Sequence, residues 1–255
     1  MSIASKAQNS SVPLFVGTAG WTVPAAVREV FPAEGTALQR YAGVMGCTEV
    51  NSSFHRPHRR ATWERWAGSV PEGFRFSVKI PKAISHTRRL VDAESELEQF
   101  VNEAAALGDR LAIFLLQLPP SLVFVPEITA AFISATRLLA DVPVVIEPRH
   151  ASWFEPMADA LLAELSVARV AADPVKVSAA ARPGGWRGLS YFRLHGSPVM
   201  YRSSYGDERL QDYAAALTKD LAAGRPAWCI FDNTASSAAL GDALKLTRYM
   251  QAASS

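Results

Sequence analysis

The chain has 255 residues, of which 49% are apolar and 20% are charged. This length is close to that of a minimal (β/α)₈ barrel, and the composition is typical of a globular domain with a sizeable core, which excludes disorder across the whole chain. Lysine and arginine number 26 against 24 aspartates and glutamates, so the formal net charge is +2. This charge gives no overall attraction to nucleic acids or acidic membranes, and a preference for anions would have to come from local clusters.

The N-terminal segment and the two cysteines bear on the cellular compartment. Met1–Pro13 is polar and rich in serine, without the apolar core of an export signal, and no apolar run approaches the length of a membrane span. Cys47 and Cys229 lie in separate apolar runs and form no C-x-x-C pair, so we expect buried, reduced thiols. We therefore expect a cytoplasmic protein without membrane association, with a disordered tail over residues 1–13 and one domain over residues 14–255.

Short β-branched or aromatic runs recur along the chain at intervals that leave room for helices. Several of these runs are almost continuously apolar, as in residues 111–116, which is typical of strands covered by helices on both faces of a parallel sheet. Eight strands are predicted, at Leu14–Gly20, Cys47–Phe54, Phe74–Pro81, Leu111–Pro119, Val142–His150, Val167–Pro174, Leu189–Gly196 and Ala227–Asn233.

Apolar residues at helical spacing predict helices between many of these strands. They cover Glu94–Leu107, Val125–Leu139, Glu155–Leu165, Asp207–Ala223 and Ser236–Met250. The sixth crossover, residues 175–188, contains Pro183, Gly184 and Gly185, so its helix is expected to be weak or missing. Eight strands with about seven crossover helices predict an α/β fold, a single TIM-type (β/α)₈ barrel. The alternative, an open doubly wound sheet, lacks a G-x-G-x-x-G motif after the first strand.

Polar residues follow the apolar runs at the carboxyl end of every predicted strand. Enzymes with this fold place their active sites at these ends, so the sequence predicts a polar pocket there. The residues are Thr18, Trp21, Glu49, Asn51, Ser53, Lys79, Gln117, Glu147, Arg149, His150, Asp173, Arg193, His195, Asp232 and Asn233.

Two kinds of site compete for these side chains. In the first, Lys79, Arg149, Arg193 and His195 bind an anionic group, and a carboxylate serves as acid or base. In the second, a divalent metal is held by Glu49, Glu147, Asp173, His195 and Asp232. The metal site is less favoured, because no H-x-H or H-x-x-x-H spacing is present and three cations would lie close to the metal. No motif identifies a cofactor.

The chain resembles the YecE-like family (domain of unknown function 72) from about Phe15 to Tyr249. The resemblance rests on the order and spacing of several segments, namely residues 17–21, 49–54, 74–79, 84–86, 117–120, 146–150 with Ser152–Trp153, 193–196 and 231–233. It implies a TIM-like barrel and no particular reaction. It also implies a shared pocket lined by Glu49, Asn51, Lys79, His86, Gln117, Glu147, Arg149, Arg193, His195 and Asn233. The chain departs from the family at His55, where tyrosine is common, and at Asp232, where asparagine is common.

Together these observations favour an enzyme that acts on a small or nucleotide-like, phosphate-bearing anion by acid–base or hydrolytic chemistry. The expected catalytic residues are Glu49, Glu147 and His195. The expected substrate-binding residues are Trp21, Asn51, Lys79, His86, Gln117, Arg149, Arg193 and Asn233.

The alternative function is a non-catalytic nucleic-acid-binding module. It would use the basic loop of residues 56–60, with Trp63 and Trp66 nearby for stacking on bases. These two tryptophans lie three residues apart, so they also fit a helix face that packs against the barrel.

Overall fold

A computed structural model describes residues 12–253 of the chain. Each of the eight predicted strand regions contains a strand, and the sixth region is divided in two. A further short strand, Gly184–Gly185, lies in the sixth crossover. The strands are β1 (Leu14–Ala19), β2 (Cys47–Val50), β3 (Arg75–Lys79), β4 (Leu111–Gln117), β5 (Val144–Glu147), β6 (Ala168–Arg169), β7 (Ala171–Asp173), β8 (Gly184–Gly185), β9 (Ser190–Leu194) and β10 (Ala227–Phe231).

The sheet closes into an almost complete barrel. Its order is β7-β9-β10-β1-β2-β3-β4-β5-β6-β8, and every pairing is parallel except that of β6 with β8. The sixth strand region closes the ring, because β6 pairs with β5 while β7 pairs with β9. Val170 separates the two halves, and its N–H donates to the carbonyl of Ile146 at 2.8 Å. The prediction of a TIM-type barrel is confirmed.

Helices cover the outside of the barrel. They are α1 (Ala37–Ala42), α2 (Arg60–Gly68), α3 (Glu94–Ala104), α4 (Pro126–Leu139), α5 (Pro156–Glu164), α6 (Asp207–Ala222) and α7 (Ala239–Ala253). The five predicted helices are present as α3 to α7. Pro126 and Pro156 occupy the first helical position, where the missing N–H costs no hydrogen bond. The sixth crossover contains only the 3₁₀ turn Ser178–Ala181 and the strand β8, as predicted.

The apolar residues form two layers. Inside the barrel, a smaller cluster fills the lower part, and it includes Cys47, Leu115, Val145, Tyr191 and Trp228. A larger cluster lies between the strands and the surrounding helices. Both cysteines are buried free thiols, as predicted. The inner cluster leaves the carboxyl ends of the strands for polar side chains.

The ends of the chain bear on two other predictions. The expected disordered tail falls mostly on residues 1–11, which lie outside the described residues. Within the described residues, no helix is long and apolar enough to cross a membrane.

The close contact of β1 with β2 depends on the absence of a side chain at Gly17. A Cβ at this position would lie 2.3 Å from the Cys47 carbonyl oxygen and 2.8 Å from its Sγ. We predict that Gly17→Ala lowers the free energy of unfolding by about 2 kcal/mol or more, because the backbone of β2 must move. Gly68→Ala is the matched control. No heavy atom lies within 4 Å of a Cβ there, so this change is expected to be neutral or slightly stabilising. Urea denaturation measures both, and equal stabilities of the two variants would contradict this account.

Candidate active site

The polar side chains above the inner apolar cluster point into the barrel. Side chains alternate between the two faces of a strand, so Tyr191 of the inner cluster shares its face with Arg193 and His195. The Tyr191 hydroxyl lies 2.9 Å from Ser77 Oγ and 3.1 Å from Glu49 Oε2, which joins β9 to β3 and β2 across the interior. The predicted convergence of these strand-end residues is therefore present.

Arg193 lies at the centre of the polar network. Its Nε is 3.0 Å from Glu49 Oε2, and its Nη2 is 2.7 Å from Glu49 Oε1. Its Nη1 is 3.1 Å from Glu147 Oε2, and Nη2 is also 3.0 Å from Asp232 Oδ2. The side chain is 1% exposed. A guanidinium group with these three carboxylate partners is fully engaged, so Arg193 holds the network together and has no free donor edge for a substrate.

His195 bridges two of the same carboxylates. Its Nδ1 lies 2.9 Å from Asp232 Oδ2, and its Nε2 lies 2.9 Å from Glu147 Oε1 and 3.1 Å from Arg149 Nη2. Asp232 thus fixes the ring through Nδ1. The other nitrogen can donate a proton to Glu147, or accept a hydrogen bond from Arg149 when it carries no proton. This geometry suits a group that gives and takes a proton.

Arg149 joins this network to the mouth of the barrel. Its Nη2 donates to Glu147 Oε1, and its side chain is 21% exposed. Its Nε is buried and has no hydrogen-bond partner. The sealed Nε is therefore closed to a ligand, and the exposed part of the guanidinium side chain is what remains for another acceptor.

The network holds its carboxylates in the charged form. Burial raises the pKa of Glu147, but Arg149, Arg193 and His195 outweigh burial and hold that pKa well below its usual range. The pKa of Asp232 is lowered in the same way, against the effect of burial, by Arg193, His195 and Lys79. The three carboxylates in turn raise the pKa of Arg193 despite its burial.

Lys79 ends β3 close to this network but outside its hydrogen bonds. Its Nζ lies over the ring of Phe54, 4.0 Å from the ring centroid. Burial, followed by the positive charge of Arg193, lowers the pKa of Lys79 to about 8, against the raising effect of Glu49, Glu147 and Asp232. The amine is therefore less strongly protonated than an ordinary lysine.

A cavity of about 340 Å³ opens at the mouth of the barrel beside Arg149. Burial and the nearby Lys79 and Lys82 lower the pKa of His86, so Arg149 and Lys176 are the cations of this cavity at neutral pH. No aspartate or glutamate contributes to its wall in the described part of the chain. The wall is formed by His86, Gln117, Leu118, Pro120, Pro148, Arg149, Phe154, Ala172, Pro174, Val175, Lys176, Val177, Ala180, Met200 and Tyr201.

Three of the predicted site residues lie away from this cavity. Asn233 faces outward, and its Nδ2 donates to Asp242 Oδ2 at 2.7 Å, which ties β10 to α7. Trp21 packs edge-on against Trp66, with 5.0 Å between the ring centroids. Asp173 forms an ion pair with Arg209 of α6 at 2.7 Å. Their neighbours along the chain point inward, so strand alternation turns Asn233 and Asp173 toward the helices.

The remaining predicted residues lie at or near the mouth. Gln117 and His86 line the cavity, and Asn51 Nδ2 is 3.5 Å from Asp232 Oδ1. Of the two departures from the family pattern, Asp232 belongs to the buried network. His55 lies outside it and packs edge-on against Phe54.

Four of the five residues proposed as metal ligands lie together in the buried network, namely Glu49, Glu147, His195 and Asp232, and Asp173 lies apart from them. Asp173 faces α6, and the guanidinium of Arg193 lies among the carboxylates of Glu49, Glu147 and Asp232. Within residues 12–253, no group of three or more histidine, cysteine, aspartate or glutamate side chains is arranged to hold a metal ion.

Several contributors to the site were missed by the sequence interpretation. Ser77 and Tyr191 share faces with Lys79 and Arg193, so strand alternation could have identified them. Lys176 and Tyr201 lie in loops and carry no such signal. The Tyr201 ring packs edge-on against His195, with 5.5 Å between the centroids, and its N–H donates to the His195 carbonyl. Tyr201 thus covers the imidazole.

Fold and site together define a TIM-type barrel protein with a charged network beneath a cavity at the carboxyl ends of its strands. The chain belongs to the family described as Protein of unknown function DUF72, whose model matches residues 15–255. The resemblance inferred from the sequence is thereby confirmed.

Relatives from three bacteria support this assignment. The chain is similar to the crystal structure of a DUF72 family protein from Enterococcus faecalis V583, with a TM-score of 0.78 and 20% identity over 93% of this chain and 95% of that chain. A DUF72 family protein from Thermotoga maritima MSB8 gives a TM-score of 0.76 and 21% identity over 94% and 99% of the two chains. The UPF0759 protein YunF of Bacillus subtilis strain 168 is 27% identical over 149 residues, 56% of this chain and 53% of YunF. The match spans about half the length of that curated relative.

The role of Arg193 as the centre of the network predicts a large effect of its removal. We expect Arg193→Met to lower the free energy of unfolding by about 3–5 kcal/mol, because Glu49, Glu147 and Asp232 would remain buried without their shared partner. The matched control is Arg60→Met. Arg60 is 66% exposed and forms an ion pair with Glu64, which is 53% exposed, so its loss is expected to cost about 1 kcal/mol or less. Chemical denaturation of both variants measures the difference, and a stable Arg193→Met protein would rule out this role.

Proposed function

We propose that the protein is an enzyme that binds a small phosphate-bearing anion in the mouth cavity and acts on it by acid–base chemistry. The observation that carries this proposal is the cavity wall, which includes Arg149 and Lys176 but no carboxylate within the described residues. Arg149 is anchored through Nη2 and remains 21% exposed in the cavity wall, so it offers a phosphate a positioned, charged donor.

Acid–base chemistry is supported by the hydrogen bonds of His195, which lies next to Arg149. Asp232 orients His195, and the second ring nitrogen lies between Glu147 and Arg149. In this proposal His195 donates or accepts a proton, and Glu147, which is held in its charged form, stabilises the protonated imidazole. Glu49 is held by Arg193 and Tyr191, so it positions the network and is not itself the base.

The imidazole of His195 is fully buried, and the ring of Tyr201 lies against it. A ligand in the cavity would therefore meet Arg149 first. Contact with His195 would require the Tyr201 ring to move aside, which would also limit the access of water to the reacting groups.

The alternative, a nucleic-acid-binding module, has less support. Trp63 is 1% exposed, and its Nε1 donates to the His58 carbonyl at 3.2 Å. Trp66 is half-buried and packs against Trp21, His58 and Trp63. These contacts support the packing interpretation of the two tryptophans and leave little aromatic surface for stacking on bases.

Calorimetric titration with inorganic phosphate at low ionic strength tests the anion site. We expect Arg149→Met to weaken phosphate binding at least about tenfold, because the variant loses the charged donor in the cavity wall. Arg182→Met is the matched control, since Arg182 is exposed, lies outside the cavity wall and gives the same change in net charge. Affinity that is lowered equally in both variants, or in neither, would contradict the assignment of Arg149.

A further inference from the structure

The amine of Lys79 has an unusual set of neighbours. Glu49, Glu147 and Asp232 are engaged by Arg193, Arg149 and His195, and none of their oxygens lies within 4.0 Å of Nζ. Among the described residues Nζ has neither a hydrogen bond nor an ion pair, and it lies over the ring of Phe54 at 4.0 Å. The barrel thus contains a lysine that no carboxylate contacts directly.

The amine is not completely sealed from solvent. Arg149 Nε and Asn51 Oδ1 are buried atoms without a hydrogen-bond partner, and Lys79 Nζ, which also has no partner, is not among the buried atoms. Lys79 is 6% exposed, whereas Glu49 is completely buried. Lys79 does not belong to the wall of the mouth cavity, so a substrate anchored at Arg149 has to extend beyond that cavity to meet the amine.

The surroundings also raise the fraction of the amine that is neutral. Burial and the positive charge of Arg193 lower the pKa of Lys79 to about 8. At pH 7 roughly a tenth of such an amine carries a free electron pair, far more than for an ordinary lysine. A desolvated lysine beside another cation is a recognised arrangement for an amine nucleophile.

We propose that Lys79 is a nucleophile that forms an imine with a small anionic substrate that carries an aldehyde or ketone group. The proposal deepens the function given above and rests on it, since Arg149 would hold the anionic group while Lys79 meets the carbonyl carbon. It assigns to Lys79 a covalent role in place of the anion-binding role predicted from the sequence.

The reaction needs no oxidant or reductant. The lone pair of Nζ attacks the carbonyl carbon, and the electrons of the carbon–oxygen π bond move to oxygen, which takes up a proton. The nitrogen loses a proton to give a neutral carbinolamine. A second proton on the hydroxyl group allows it to leave as water, and the nitrogen lone pair forms the carbon–nitrogen double bond of an iminium ion. Water supplies and removes these protons, because Nζ is not completely sealed from solvent.

Reductive trapping tests the proposal on the 255-residue chain. The protein is incubated with pyruvate or dihydroxyacetone phosphate and sodium cyanoborohydride, and peptide mass spectrometry follows the modification of each lysine with time. We expect Lys79 to be modified at least about tenfold faster than the exposed Lys82 at pH 7. The rate at Lys79 should level off above pH about 8, while the rate at Lys82 continues to rise.

Two variants complete the test. Lys79→Arg keeps the positive charge and should remove the fast modification, while the rate at Lys82 stays unchanged. Modification of Lys79 no faster than Lys82 with both probes would overturn the imine. If phosphate binding still depends on Arg149 in that case, the anion site survives and only the imine fails. Fast modification of Lys79 that is unaffected by Arg149→Met would support the imine and reject Arg149 as the anchor.

Discussion

The guanidinium group of Arg193 contacts three carboxylates from separate parts of the barrel, namely Glu49 of β2, Glu147 of β5 and Asp232 after β10. None of these charges can be buried alone without a cost of several kcal/mol, so each depends on the others for its place inside the protein. Because the partners lie on distant strands, the network forms only when the barrel is closed in its correct register. The orientation of His195 and Arg149 follows from that closure, since both bind Glu147.

The polar groups of the barrel divide into two levels. Glu49, Glu147, Arg193 and His195 are sealed from solvent, and their donors and acceptors satisfy one another. Above them Arg149 is partly exposed, and Lys79 carries an amine without a hydrogen bond or an ion pair. A buried level whose groups hold one another in place and an upper level with exposed charge suit a binding site, because the upper groups need little reorganisation when a ligand arrives.

Much of this could be predicted from the sequence, because it follows from local rules. Apolar runs gave the strands, and alternation placed Arg193 and His195 on one inward face. Other features depend on distant contacts. Glu49, which accepts hydrogen bonds from Nε and Nη2 of Arg193, lies 144 positions away in the sequence. The sequence therefore suggested that Arg193 is free to bind an anion, whereas in the fold it holds the buried network together. Asn233 was expected in the pocket because of the family resemblance, although alternation with the inward Asp232 turns it toward α7. Tyr201 has a left-handed φ of 66° in a loop and gave no signal.

In the proposed function an anion enters the mouth cavity at Arg149, directly beside His195 and Glu147. This placement can be tested by nuclear magnetic resonance of the arginine Nε–H groups and histidine rings during titration with inorganic phosphate. The signals of Arg149 and His195 are expected to move together with one dissociation constant, while the Arg193 signal changes little. Movement confined to exposed arginines, with Arg149 and His195 unchanged at saturating phosphate, would contradict it.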